Sequence, residues 1–131
     1  MTDARNIELL KELPAADAGF PAVLSVTEEG EETRLELDVA EDLCWFPGHF
    51  PGQPVLAGVV QLHWAALVCQ SLYGFDDCPY EVKRLKFKRV VVPPRVVTLA
   101  VAPHGDCEAQ FRFTSPGEQN SEGRIVFAER R

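Results

Sequence analysis

Cys44-Trp45-Phe46-Pro47-Gly48-His49-Phe50-Pro51-Gly52-Gln53-Pro54-Val55-Leu56-Ala57-Gly58 is the stretch on which the reading of this chain turns. Three prolines and two glycines fall between Pro47 and Pro54 and restrict the backbone that carries His49. Polarity then drops. Residues 54–73 hold no Asp or Glu and are interrupted by Gln61, His63 and Gln70. The spacing predicts a helix over 57–72, with Gly74 just past its end. It has no basic flank at its start and reads as a buried core helix rather than a membrane span.

Working outward, Ile7, Leu10 and Leu13 predict a short amphipathic helix over 3–13, capped by Thr2 or Asp3 and ended by Pro14. Strands are predicted at 21–27 and 33–39, joined by the acidic turn Glu28-Glu29-Gly30-Glu31-Glu32. The second alternates Leu35, Leu37 and Val39 with Arg34, Glu36 and Asp38. After the apolar helix, strands are predicted at 81–92, 96–103, 107–114 and 122–129. Pro93-Pro94, Pro103-His104-Gly105-Asp106 and Ser115-Pro116-Gly117 separate them. One apolar helix among antiparallel strands implies an α+β fold, a sheet of about six strands wrapped around the helix.

Composition sets further bounds. A chain of 131 residues reads as one domain, 1–131, large enough for a core without staples. The net charge of −7 excludes nucleic acid as the expected partner. Cys44, Cys69, Cys78 and Cys107 form no CxxC pair, and they read as free thiols in a reducing cytoplasm. The acidic N-terminus reads as lacking a secretory signal. Six of the 13 basic residues lie between Lys83 and Arg95, a local anion-docking candidate in an acidic chain.

His49 and His63 are two of three histidines and stand fourteen positions apart. A fixed imidazole suits a general base. His63 shares a helical stripe with Leu56, Val59, Val60 and Leu67, which predicts burial. Desolvation and the positive end of the helix dipole would both favour its neutral form. The N–H of Gly58 or Val59, at the helix start, suits a carbonyl oxygen on which charge develops. Arg84, Lys86 and Lys88 fall on one strand face by period-2 spacing, with Arg95 nearby. The plainer readings are a turn histidine, a core histidine, a close-packing glycine and a solvated sheet face. A metal held by His49 and His63 lacks an obvious third ligand, so none is expected. His104 reads as an exposed turn residue, Trp45 and Trp64 as core.

The segment from Phe46 to Val60 resembles the active-site segment of the hot-dog-fold 3-hydroxyacyl-ACP dehydratases, the FabA/FabZ-like group. Leu85-Lys86-Phe87-Lys88-Arg89-Val90-Val91-Val92-Pro93-Pro94 resembles the family's basic strand and proline turn. The resemblance covers about 44–99, a little under half the chain. Three positions depart from it: His63 stands where typical members carry glutamate, Ala57 replaces a proline, and Leu67 replaces a glutamine. The segment 58–65 looks closer to the aryl-polyene-type, ApeI-like branch.

The resemblance implies a hot dog working as a dimer with the site at the interface, His49 of one subunit facing His63 of the other. It implies reversible elimination of water from a (3R)-3-hydroxyacyl thioester, giving the trans-2-enoyl thioester. His49 would take the C2 proton, His63 would serve the leaving hydroxyl, and Gly58 or Val59 would hold the carbonyl. No cofactor is implied. The implied partners are acyl carrier protein, met by Arg84, Lys86, Lys88 and Arg95, and a second copy or related partner chain. A hot-dog thioesterase is the enzymatic rival, opposed by the absence of Asp and Glu from 54–73. A non-catalytic acyl-binding or partner subunit is the other.

Overall fold

The computed structural model describes residues 4–16, 19–40, 55–74 and 81–127. His49, its Pro/Gly loop, Cys44, Trp45 and Cys78 lie outside the described residues.

The N-terminal helix is α1, Ala4–Lys11, followed by the single turn α2, Leu13–Ala16. Pro14 does not end the helical path as expected; the break comes at Glu12, whose N–H donates to the Leu9 carbonyl at 3.1 Å. Pro14 then occupies the first turn of α2, where a missing N–H costs nothing. Leu10 and Leu13 enter the core.

Six strands follow: β1 Ala22–Glu29, β2 Glu32–Val39, β3 Glu81–Phe87, β4 Arg95–Pro103, β5 Glu108–Ser115 and β6 Glu118–Val126. Between β2 and β3 runs α3, Gly58–Tyr73, with Ala57 as its N-cap residue rather than its first helical one. The strands form one sheet in the order β1-β2-β4-β5-β6-β3, every pair antiparallel. Alternation sets the faces. Leu35, Leu37, Val39, Val97, Leu99, Val101, Phe111, Phe113 and Ile125 point into the core with the buried residues of α3.

Turns explain most boundary differences. The acidic turn is tighter than expected: Glu29 pairs with Glu32, leaving only Gly30 and Glu31 between strands, with Gly30 at φ 63°. Ser115 pairs with Glu118 across Pro116-Gly117, and Gly117 takes φ 77°. A two-residue connection lets β6 begin four residues before the expected 122. β3 stops at Phe87 instead of 92, because the chain is drawn off the sheet by Asn120. That fully buried residue accepts from the Lys88 and Arg89 N–H groups at 2.8 and 3.3 Å. Its amide donates to the Arg89 carbonyl at 3.3 Å and accepts from Ser115 Oγ at 2.9 Å.

The basic strand is also irregular. A bulge lies between Lys83 and Lys86, and Arg84 sits at φ 53°. Arg84 and Lys86 still share a face, but through the bulge rather than unbroken alternation, and Lys88 falls after the strand.

Candidate active site

The site is built around the N-terminus of α3. The chain reaches it through a fixed approach: Leu56 N–H donates to the Val91 carbonyl at 2.8 Å, tying the helix entry to the segment after β3. The first intrahelical donors are Val60 and Gln61, both to the Ala57 carbonyl. The Gly58 and Val59 N–H groups have no acceptor among the described residues, as expected of the first helical positions. Two aligned amides at the positive end of a helix dipole suit a carbonyl oxygen gaining charge.

Gln61 braces this end. It is only 3% exposed, yet both ends of its amide are satisfied. Nε2 donates to the Leu56 carbonyl at 3.3 Å, and Oε1 accepts from Ser121 Oγ of β6 at 2.6 Å. The helix start is thus hydrogen-bonded to the sheet across the core. Sequence reading passed over Gln61 as an interruption of an apolar run. The available signal was an amide at a core-facing helical position, which must find partners.

Phe87 closes the other side. A β-carbon on Gly58 would lie 2.5 Å from Phe87 Cζ. The close-packing reading and the amide reading of Gly58 are compatible: the missing side chain admits the ring, while the N–H has no acceptor among the described residues.

His63 is half-buried rather than buried. It lies one turn beyond Val59, on the stripe that also carries Leu67, and a helical side chain leans toward the N-terminus. A side chain at this position leans in the direction of the Gly58 and Val59 amides. Val60, expected on the same stripe, belongs to the core face, whereas Val59 is 72% exposed. Trp64 is core as expected, its Nε1–H donated to the Gly19 carbonyl at 3.1 Å and its ring 6.0 Å from that of Phe20. Deeper in α3, burial pushes the Cys69 thiol well above its ordinary range, so it stays protonated.

The basic residues fall elsewhere. Arg84 and Lys86 line a depression on the sheet face opposite α3. Lys88 Nζ contacts Gln119 at 3.0 Å and Glu122 at 2.8 Å, which holds the Glu122 carboxyl below its usual value. Arg95 donates to the Pro116 carbonyl at 3.2 Å and lies 3.7 Å from Glu118. His104 is exposed, as expected.

An antiparallel six-stranded sheet wrapped around one helix is the hot-dog architecture found in dehydratases. The family described as ApeI-like, ApeI dehydratase, matches residues 25–124, and the chain belongs to it. The 3-hydroxyacyl-[acyl-carrier-protein] dehydratase FabZ of Alkaliphilus metalliredigens is 30% identical over 117 residues, covering 76% of this chain and 73% of the relative. The bifunctional enzyme LpxC/FabZ of Porphyromonas gingivalis is 32% identical over 97 residues, or 67% of this chain; the match spans 21% of that relative's length. Among solved structures, the dehydratase heterocomplex ApeI:P from Xenorhabdus doucetiae aligns with a TM-score of 0.70 and 26% identity, covering 81% of this chain and 96% of that one.

Proposed function

We propose that this protein is a 3-hydroxyacyl thioester dehydratase acting on substrates carried by acyl carrier protein. The observation that carries the reading is the placement of half-buried His63 one helical turn from the Gly58 and Val59 amides, which have no acceptor among the described residues. The C2 proton of a thioester is removable only if the carbonyl can take up charge, and the amides supply the stabilisation. His49 is the base for that proton. His63 serves the departing C3 hydroxyl, in place of the glutamate of typical members. The family match supports the reaction class. Thioester hydrolysis is disfavoured because α3 contains no carboxylate.

The active unit in this reading is a dimer. β3 is an edge strand, and Leu85, Phe87, Val90, Val92 and Val59 expose apolar surface along and beside it. An unpaired apolar edge is a pairing surface. A second copy covering it would dry the site and bring its own His49 to His63. The Xenorhabdus neighbour is a heterocomplex, which supports a related partner chain as the alternative occupant.

The experiment is turnover of a (3R)-3-hydroxyacyl-ACP by purified protein, read by mass. Loss of one water supports the reading. A free carrier thiol would mean hydrolysis. No reaction alone, but dehydration after adding a related hot-dog chain, would make the unit a heterodimer.

A further inference from the structure

On the sheet face turned away from α3 lies a groove of about 380 Å³. Arg84 and Lys86 of β3, Arg124 of β6 and Arg112 of β5 line it, over a floor that includes Ala100 and Ala102 of β4. Small floor residues flanked by long cationic ones make the concavity. A cluster of four cations in a chain of net charge −7 is a local reversal of sign.

The two acids in the groove are already engaged. Glu32 holds Arg34 at 2.6 Å and Arg112 at 3.3 Å, and Glu122 holds Lys88 at 2.8 Å. Arg84, Lys86 and Arg124 form no ion pair among the described residues, although Lys86 is near enough to Glu122 to help lower its pKa. The bulge adds an independent observation. Arg84 takes a left-handed φ of 53°, uncommon for a residue with a β-carbon. In the register Lys83 faces Arg124 and Lys86 faces Glu122, so Arg84 and Leu85 together oppose Gly123. Alternation continued from Val82, which faces buried Ile125, would send both Arg84 and Lys86 toward the core; the bulge resets the phase, and both line the groove. Gly123 leaves room, since a β-carbon there would meet the Phe111 ring at 3.0 Å and Leu85 Cα at 3.4 Å. Bulges that re-aim a side chain recur beside functional sites.

We propose that this groove binds a diphosphate-bearing small molecule. Arg84, Lys86 and Arg124 hold the phosphates, and the uncharged part lies on Ala100 and Ala102. Guanidinium groups match phosphate oxygens bidentately. The volume is in the range of small-ligand sites, which favours a compact anion over an acidic protein surface. The proposal is independent of the dehydratase reading, because the groove lies across the sheet from α3.

The test is calorimetric titration of the full-length protein with pyrophosphate, ADP and adenosine. Binding of pyrophosphate and ADP is expected, with adenosine inert and affinity falling about tenfold as NaCl rises from about 0.05 to about 0.5 M. Binding of ADP without pyrophosphate would identify a nucleotide as the source of the phosphates. Arg124→Ala and Arg84→Ala should each weaken binding about tenfold, the usual scale for a lost charge-assisted hydrogen bond. Arg124→Lys should recover part of it. Gln110→Trp, which fills the groove from an exposed position without removing a cation, should abolish it, with thermal melting confirming the fold. Failure of both anions at low salt, or binding indifferent to all these variants, overturns the proposal. So would an acidic carrier protein perturbing Arg84 and Arg124 where neither anion binds.

Discussion

The Phe87 ring occupies the space that a side chain on Gly58 would need: a β-carbon there would meet three ring atoms at 2.5 to 2.9 Å. The first residue of the helix and the last of β3 are thus matched in size, and the Gly58 N–H, which has no acceptor among the described residues, lies beside a half-exposed ring. Gly58→Ala should displace the Phe87 ring, and because that ring is half-exposed and can swing outward the cost should fall at or below the low end of overpacking penalties, about 1 kcal/mol. Phe87→Ala in the same chain should relieve most of that cost. Urea denaturation of the two single variants and the double variant checks the coupling; simple additivity would show that the two do not compete for space.

Gln61 joins the helix entry to β6 through the Leu56 carbonyl and Ser121. Gln61→Leu keeps the volume but leaves two buried polar groups without partners. It should destabilise by about 1–3 kcal/mol. Adding Ser121→Ala should recover part of the loss, because one orphan is then removed. Chemical denaturation of the set measures this.

The architecture was legible from particular residues. Alternation of Leu35, Leu37 and Val39 placed the inner face of β2, and the apolar run with Gly74 beyond it placed α3. The register irregularity at Arg84 was not legible, because Glu81 to Lys88 alternates too little in polarity to locate a bulge. Asn120 and Ser121 were equally hidden: their importance comes from partners some thirty and sixty positions away. Of the candidate site, the position of Gly58 and Val59 in the first turn of α3 and of His63 one turn further along could be read from spacing. The expected burial of His63 could not be settled that way, since the stripe it shares includes strongly exposed Val59.

Alkaline stability should decline in a definable window. Burial raises the Cys69 thiol above its ordinary 9.0, and burial, with neighbouring Cys69, raises the Tyr73 hydroxyl above 10.0. Above pH 9 the unfolded chain loses these protons first and the native chain keeps them. The unfolded state then binds fewer protons, so stability falls as pH rises. Below 9 these groups contribute no slope. Denaturation midpoints should fall between about pH 9 and 10.5, with no contribution from these groups between pH 7 and 9, and Cys69→Ala should flatten the decline. Differential alkylation should leave Cys69 unlabelled in the native protein while partly exposed Cys107 reacts.

The exposed edge of β3 makes assembly testable apart from chemistry. Val90→Glu or Leu85→Glu places a charge on surface that the proposed dimer would bury. Light scattering after gel filtration should show a dimer for the natural chain and a shift toward monomer for each variant. Circular dichroism should stay unchanged. Turnover should fall with the dimer fraction.

The central claim is that two imidazoles and a helix N-terminus dehydrate a 3-hydroxyacyl thioester. Its most direct test is mass analysis of (3R)-3-hydroxyacyl-ACP incubated with the natural chain, His49→Ala and His63→Ala. The account predicts loss of one water with the natural chain, abolition by His49→Ala, and a loss of about 10²–10⁴-fold for His63→Ala, the usual scale of a general acid or base. Full turnover by His63→Ala would contradict it, because the residue placed beside the amides would then take no part in the reaction.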